Sequence, residues 1–280
     1  MQCWIATGQR FAVRTSDGWT RQTSTPPVVS GSLLPPREAQ RSDALMIPAR
    51  NIRALLFDLD GTLVDTESHT DRAIEAVVAK HGIDGFSLPH TETRGRTWPH
   101  VAETILAQAK IGVPADMLAS ELLKVWNEAT AAVNPIPGAP EALRAAAACK
   151  LKIAVVSSSP LAVIKRLVAR LGAEDLVDAG ACVGGDGVRK GKPDPECFLK
   201  AAHALGVDPA EVLVCEDSHA GLLAARAAGM RSLFIMCCAA DIPGNSALAT
   251  LSCTNYRTLP PRFWEQLATG SADFTGRVFT

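Results

Sequence analysis

Two aspartates one residue apart, Asp58 and Asp60, close the apolar run Ala54-Leu55-Leu56-Phe57 and stand directly before Gly61-Thr62. An apolar run this short, stopped by a turn signal, reads as a strand buried on both faces. The two carboxylates share strand parity, so both aim into one crevice at the strand's carboxyl end, where open parallel sheets bind ligands. Adjacent anions repel, and a divalent cation relieves the repulsion. Three further polar clusters follow apolar runs: Ser157, Lys192 and the neighbours Glu216 and Asp217. Carboxylates, a hydroxyl and a lysine converging on one rim make a phosphate site with a metal. A carboxylate can attack phosphorus to give an aspartyl phosphate, and a second one two residues on can shuttle the proton. A serine hydroxyl donates to a phosphoryl oxygen, and a lysine neutralises nucleophile and phosphate together. Glu216 and Asp217 point to opposite sides if extended, so one can bind the metal while the other supports it.

The elements that must position these residues alternate. The first strand is followed by helical spacing from Glu67, with Ile74, Val77 and Val78 in phase, ending at Gly82. Further helices are predicted over 99–109 and 114–132, so about 70 mainly helical residues separate the first strand from the next, far more than a βαβ crossover needs. The sheet resumes after Pro135-Ile136-Pro137-Gly138. A helix over 139–149, a strand over 151–156, a helix over 161–171, a weaker strand over 179–183, a Gly- and Lys-rich loop over 184–194 and a helix over 195–205 come next. A strand over 212–215, a helix capped by Ser218 and a strand over 231–236 complete the pattern, which fades after Asp241. This alternation predicts an α/β fold, a doubly wound Rossmann-like parallel sheet with a small helical cap domain. The domain reading is an extension over 1–48, a core over 49–68 and 136–240, a cap over 69–135, and a tail over 241–280 partly packed on the core.

Composition excludes several classes. Net charge is −1, which gives no electrostatic footprint for nucleic acid or an anionic membrane. No apolar run approaches the roughly 18 residues of a membrane span. Eight cysteines include no C-x-x-C pair, and several, Cys215 and Cys237 among them, lie inside apolar runs. That usage fits reduced thiols in a cytoplasmic protein. Residues 1–45 are rich in Ser, Thr and Pro, lack a secretory apolar core, and read as disordered. They carry five arginines and no lysine before Asp43, so an organelle transit peptide is the alternative, with Met46 as an alternative start.

Taken together, the motifs resemble the haloacid dehalogenase superfamily, phosphatase type. The residues that carry the resemblance are Asp58-Leu-Asp60-Gly-Thr-Leu-Val-Asp-Thr-Glu67, Ser157, Gly191-Lys192-Pro193-Asp194-Pro195 and Glu216-Asp217-Ser218-His-Ala-Gly221, in the family's order over about residues 52–237. The resemblance implies Asp58 as nucleophile and Mg²⁺ ligand. It implies Asp60 as general acid/base, lending its backbone carbonyl to the metal. Ser157, with Ser158 beside it, and Lys192 would hold the phosphoryl group, and Asp217 with Glu216 would complete the metal site. The helical insert matches the family's cap, which closes over the site and selects the substrate. The second carboxylate, Asp60, favours phosphoryl over carbon–halogen chemistry. The most similar sub-branch holds β-phosphoglucomutase and sugar-phosphate phosphatases, but here His69 is shifted by one from the branch's usual histidine.

Each residue also has a plain structural reading. Asp58 alone suits a turn, Ser158 and Ser159 suit caps for the next helix, Lys190 competes with Lys192, and Glu216-Asp217 suits a helix start. Arg94 and Arg96, at the cap turn, are either substrate contacts or surface charge. Trp98 reads as cap core, and the histidines lack metal spacing. The expected function is a Mg²⁺-dependent phosphatase of a small phosphorylated metabolite, a sugar or polyol phosphate, monomeric or weakly oligomeric. The alternatives are a mutase of the β-phosphoglucomutase type and a non-catalytic phosphate-binding protein on the same fold.

Overall fold

The chain divides into two units, residues 1–45 and 46–280, and a computed structural model describes residues 13–15, 18–20, 51–237, 244–271 and 273–280. In the first unit, β1 (Val13–Thr15) pairs antiparallel with β2 (Gly18–Thr20). This corrects the expectation that 1–48 lacks regular structure, at these residues only; Val, Thr and Trp suit a pleated backbone. The transit-peptide reading and the rest of that extension lie outside the described residues.

The second unit is built on a six-stranded parallel sheet of order β4-β3-β5-β6-β7-β8. The strands are β3 (Ala54–Phe57), β4 (Lys152–Val155), β5 (Val212–Glu216), β6 (Arg231–Ile235), β7 (Leu251–Cys253) and β8 (Val278–Phe279). Alternation along β3 sends Leu55 and Phe57 into one apolar layer and Ala54 and Leu56 into the other, so the strand is covered on both faces. Helices α5 (Ala139–Ala148) and α6 (Leu161–Arg170) bury residues in the first layer, and α7 (Glu196–Leu205) and α8 (His219–Ala227) in the second. In α6 the buried stripe Val163, Ile164, Leu167 and Val168 follows the helical period.

The insert forms α1 (Glu67–Lys80), α2 (His90–Thr93), α3 (Trp98–Gln108) and α4 (Ala115–Ala129), whose apolar faces, with Leu118, Leu122 and Trp126, are continuous with the first layer. Two chain crossings join insert to sheet. They run side by side, with the Asp65 amide on the Asn134 carbonyl (2.9 Å) and the Ile136 amide on the Leu63 carbonyl (2.9 Å).

Two expectations change. The strand predicted over 179–183 reduces to a single bridge, Val156 with Val183. The Asp178 carboxylate accepts from the Gly180 amide at 3.0 Å and its carbonyl from Ala181 at 3.0 Å, which turns the backbone out of an extended course. The tail, in which the pattern fades, adds β7 and β8 to the sheet, with α9 (Asn245–Leu248) and α10 (Phe263–Thr269). Strands of two or three residues are too short to show a period. Tyr256 and Trp264 from this segment lie 6.2 and 6.3 Å from the Phe57 ring, so the tail backs the strand that carries Asp58.

Candidate active site

Three adjacent strands, β4, β3 and β5, end on the predicted residues: Ser157 lies two positions past β4, Asp58 one past β3, and Glu216 closes β5 with Asp217 next. Parallel register aligns Phe57 with both Val155 and Cys215, so the three ends are level. Lys192 enters from the loop before α7. Its ammonium donates to Asp58 Oδ1 and to Glu216 Oε1, both at 2.5 Å, and to the Val156 carbonyl at 3.3 Å. All three charged side chains are almost fully buried. Burial pulls the lysine pKa down, but Asp58 and Glu216 outweigh it and hold the ammonium above its ordinary value.

Glu216 is satisfied on both oxygens: Oε2 accepts from the Ser218 amide and hydroxyl, each at 2.9 Å. Ser218 Oγ in turn accepts from the Gly221 amide at 3.0 Å, which caps α8. Asp217 differs. Its Oδ1 takes a long bond from the Thr62 hydroxyl at 3.4 Å, and its Oδ2 is buried with no hydrogen-bond partner among the described residues. Burial, then Glu67 and Glu216, push its pKa well above the ordinary carboxylate range. Asp58, Glu216 and Asp217 each place a carboxylate oxygen within 4.8 Å of the others. A hard divalent cation answers that donor set and the orphaned oxygen. The turn between the aspartates is shaped for it. Gly61 has φ +77°, and a Cβ there would stand 2.2 Å from Asp217 Oδ2.

Asp60 sits at the cleft floor. Its Oδ1 accepts from Thr66 Oγ1 at 2.9 Å and its Oδ2 from Ser157 and Ser159 hydroxyls, both at 3.0 Å. Burial raises its pKa against these three bonds. Ser157 therefore faces Asp60, with Ser159 beside it rather than acting only as a cap. Ser158 lines the same cleft, but its hydroxyl donates to the Gly95 carbonyl of the insert at 2.7 Å.

The insert's turn closes the cleft. Arg96 Nη1 donates to the Lys192 carbonyl at 3.2 Å. Arg94 pairs through Nε with Glu67 Oε2 at 2.8 Å, both side chains being nearly buried, so neither arginine is ordinary surface charge. Glu67 is the cleft acid that sequence reasoning missed; its only signal was its place ending the first motif. Burial raises its pKa from 4.5 to about 8 despite Arg94. Thr70 and Trp126, also in the cleft wall, carried no signal in sequence.

Gly95 has φ +70°, and a Cβ there would meet Ser218 Oγ at 2.3 Å. That hydroxyl already serves Glu216 and Gly221 and is not free to retreat. Gly95→Ala is therefore expected to keep the insert from seating. It should lower kcat/KM by roughly 10²-fold, the scale of a misplacement of about 1 Å, and lower Tm by a few degrees, since alanine at a positive φ is strained. Unchanged kinetics would show that this seam is not part of turnover.

A doubly wound sheet with a helical insert over a buried cluster of carboxylates and one lysine defines a hydrolase class. A family model for haloacid dehalogenase-like hydrolases matches residues 52–229, and the chain belongs to that family. It is similar to protein CbbY of Rhodobacter capsulatus, 32% identical over 189 residues, which cover 64% of this chain and 83% of that protein. It is also similar to hexitol phosphatase B of Escherichia coli K12, 32% identical over 200 residues, covering 68% of this chain and 86% of that one. Among solved structures, CbbY of Rhodobacter sphaeroides in complex with phosphate superposes with a TM-score of 0.57 at 26% identity, over 66% of this chain and 86% of that one.

Proposed function

We propose that the chain is a Mg²⁺-dependent phosphatase that hydrolyses a small phosphorylated metabolite, a sugar or polyol phosphate, through an aspartyl-phosphate intermediate. It is an enzyme, a phosphoric monoester hydrolase, as the phosphatases among its relatives support. The observation that carries the reading is the buried Oδ2 of Asp217, without a hydrogen-bond partner among the described residues, beside Asp58, which pairs with Lys192. Asp58, Asp217 and the Asp60 carbonyl would hold the ion, with Glu216 steadying Lys192. When bound, the ion supplies charge neutralisation for the carboxylates and the phosphoryl oxygens.

Burial, with Glu216, Asp217 and Asp60, pushes the Asp58 pKa well above the ordinary carboxylate range, and Lys192 works against that shift, toward the ionised form a nucleophile needs. Asp58 attacks phosphorus; the ester oxygen leaves and takes a proton from Asp60. A water then attacks the aspartyl phosphate, giving its proton to Asp60 and freeing Asp58. The raised Asp60 pKa suits a group that holds a proton between these steps. Ser157 and Lys192 hold the transferring group, and Arg94, Arg96 and Ser158 line the cleft around it. We place the enzyme in the cytoplasm, on the support of free thiols at Cys149, Cys182, Cys197, Cys215 and Cys253; no helix among the described residues is long and apolar enough to cross a membrane.

Phosphate release from sugar and polyol monophosphates should stop with EDTA and return with Mg²⁺. Release that ignores EDTA, or an isomerised phosphate with no free phosphate, would overturn the reading. Metal removal should also show in stability. In the metal-free fold Asp60, Glu67 and Asp217 keep protons to higher pH than in the unfolded chain, Glu67 to about 8 against 4.5. The folded state then binds more protons, so this contribution is full below pH 4.5 and is lost as pH rises toward 8. Tm of the EDTA-treated protein should fall across that range and flatten on adding Mg²⁺; a flat metal-free curve would count against it.

A further inference from the structure

The Lys192 ammonium has three N–H donors, and each has an acceptor: Asp58 Oδ1, Glu216 Oε1 and, at a longer 3.3 Å, the Val156 carbonyl. A further neighbour is a ring. The ammonium stands over the face of Phe198, 5.1 Å from its centroid, inside the roughly 6 Å at which the negative face of an aromatic ring attracts a cation. Phe198 is 0% and Lys192 3% exposed, and such a contact is strongest where solvent does not screen it.

The local chain holds ring and lysine at this distance. Phe198 lies in the first turn of α7 and packs in the apolar layer that holds Leu56 and Val214. The loop that carries Lys192 is clasped to the same turn from both sides of the lysine. Asp194 Oδ1 accepts from the Glu196 amide at 3.0 Å, and the Glu196 carboxylate accepts from the Arg189 and Lys190 amides at 3.2 and 3.1 Å.

The reaction makes the ammonium exchange partners. Asp58 loses its carboxylate charge on forming the acyl phosphate, and one N–H must turn to a phosphoryl oxygen. The long bond to Val156 is the weakest of the three and the first to be given up. Glu216 and Phe198 are partners that the chemistry leaves unaltered. A hydrogen bond to Glu216 fixes the direction of one donor, whereas attraction to a ring face depends on the charge and fixes none. The ring can therefore steady the cation while its donors are reassigned, which an aliphatic side chain of similar volume cannot do.

We propose that Phe198 is a positioning residue that acts through Lys192, its ring face holding the ammonium between the carboxylates and the incoming phosphoryl group. The proposal rests on the phosphatase reading and adds to it a residue of the core that does not line the cleft.

The test replaces Phe198 with 4-fluoro-, 3,5-difluoro- and 3,4,5-trifluorophenylalanine in the full chain. Each fluorine drains the negative ring face and changes its size little. Phosphate release from p-nitrophenyl phosphate in Mg²⁺ is read as kcat and KM, with Tm on the same samples. The logarithm of kcat should fall stepwise with fluorine number, to about 10-fold below wild type for the trifluoro ring, a loss of roughly 1.4 kcal/mol from a desolvated cation–ring contact. KM should stay within about two-fold, since the ammonium serves the transferring group. Phe198→Leu should fall at least as far as the trifluoro ring; if it does not fold, the fluorinated series decides alone. A kcat independent of fluorine number, or losses that follow Tm instead of fluorine number, overturns the role of Phe198 and leaves the phosphatase reading standing where release still requires Asp58. Release that Asp58→Asn leaves intact overturns both.

Discussion

Asp58→Asn abolishes phosphate release, to roughly 10⁻³ of wild-type turnover or less, the scale at which losing a nucleophile is felt. The amide keeps an oxygen where Lys192 donates at 2.5 Å, so the local geometry survives. What disappears is the charge: an amide neither attacks phosphorus nor draws a cation toward Asp217. Lys192 keeps its second partner, Glu216, at 2.5 Å, so no buried cation is left unpaired. The fold should therefore hold, with a metal-free Tm within a few degrees of wild type, because removing one of the crowded carboxylates also removes repulsion. Phosphate release and a thermal melt on the same sample check both halves. Turnover above a few per cent of wild type would remove Asp58 from the chemistry and leave the fold as a binding protein.

Lys192→Met has the largest effect on stability. The lysine side chain is 1% exposed, and its partners Asp58 and Glu216 are 5% and 0% exposed. Removing one partner of a buried ionic cluster costs about 3–5 kcal/mol, because the remaining charges stay buried without compensation. For a domain of this size that lowers Tm by roughly 6–20 °C. Two controls fix the cause. Lowering the pH should recover part of the loss, since protonating Asp58, whose pKa burial already raises, removes uncompensated charge. Adding Glu216→Gln should recover part of it as well, because an amide is cheaper to bury than a carboxylate. Turnover should fall in both variants, as the phosphoryl oxygens lose their ammonium. A Lys192→Met protein as stable as wild type at neutral pH would mean that water reaches these carboxylates and that the site is not sealed.

Most of this site is legible along the chain because its chemistry sits at strand ends. Asp58, Ser157 and Glu216-Asp217 each follow an apolar run, and a parallel sheet brings such ends to one rim whatever the loops do. Lys192 is readable only through its motif, since its loop has no period of its own. The run 179–183 looked like a strand because its residues are apolar; Asp178 turned it by offering the backbone nearer partners. The short strands β7 and β8 left no pattern, and their pairing came from edges already built by β6.

The order of the clusters and their spacing along an alternating α/β pattern determined the family, the sheet and the carboxylates that surround Lys192. These are local facts, set by hydrophobic period and residue type. Only the tertiary structure shows how the carboxylates are partnered: Glu216 accepts from Lys192 and Ser218, while Asp217 has a buried oxygen with no hydrogen-bond partner among the described residues. It alone paired Glu67 with Arg94 and set Trp98 against Trp126 above the cleft. Those contacts join positions 27 or 28 residues apart through helix packing, and no one-dimensional pattern encodes which faces of two helices will meet.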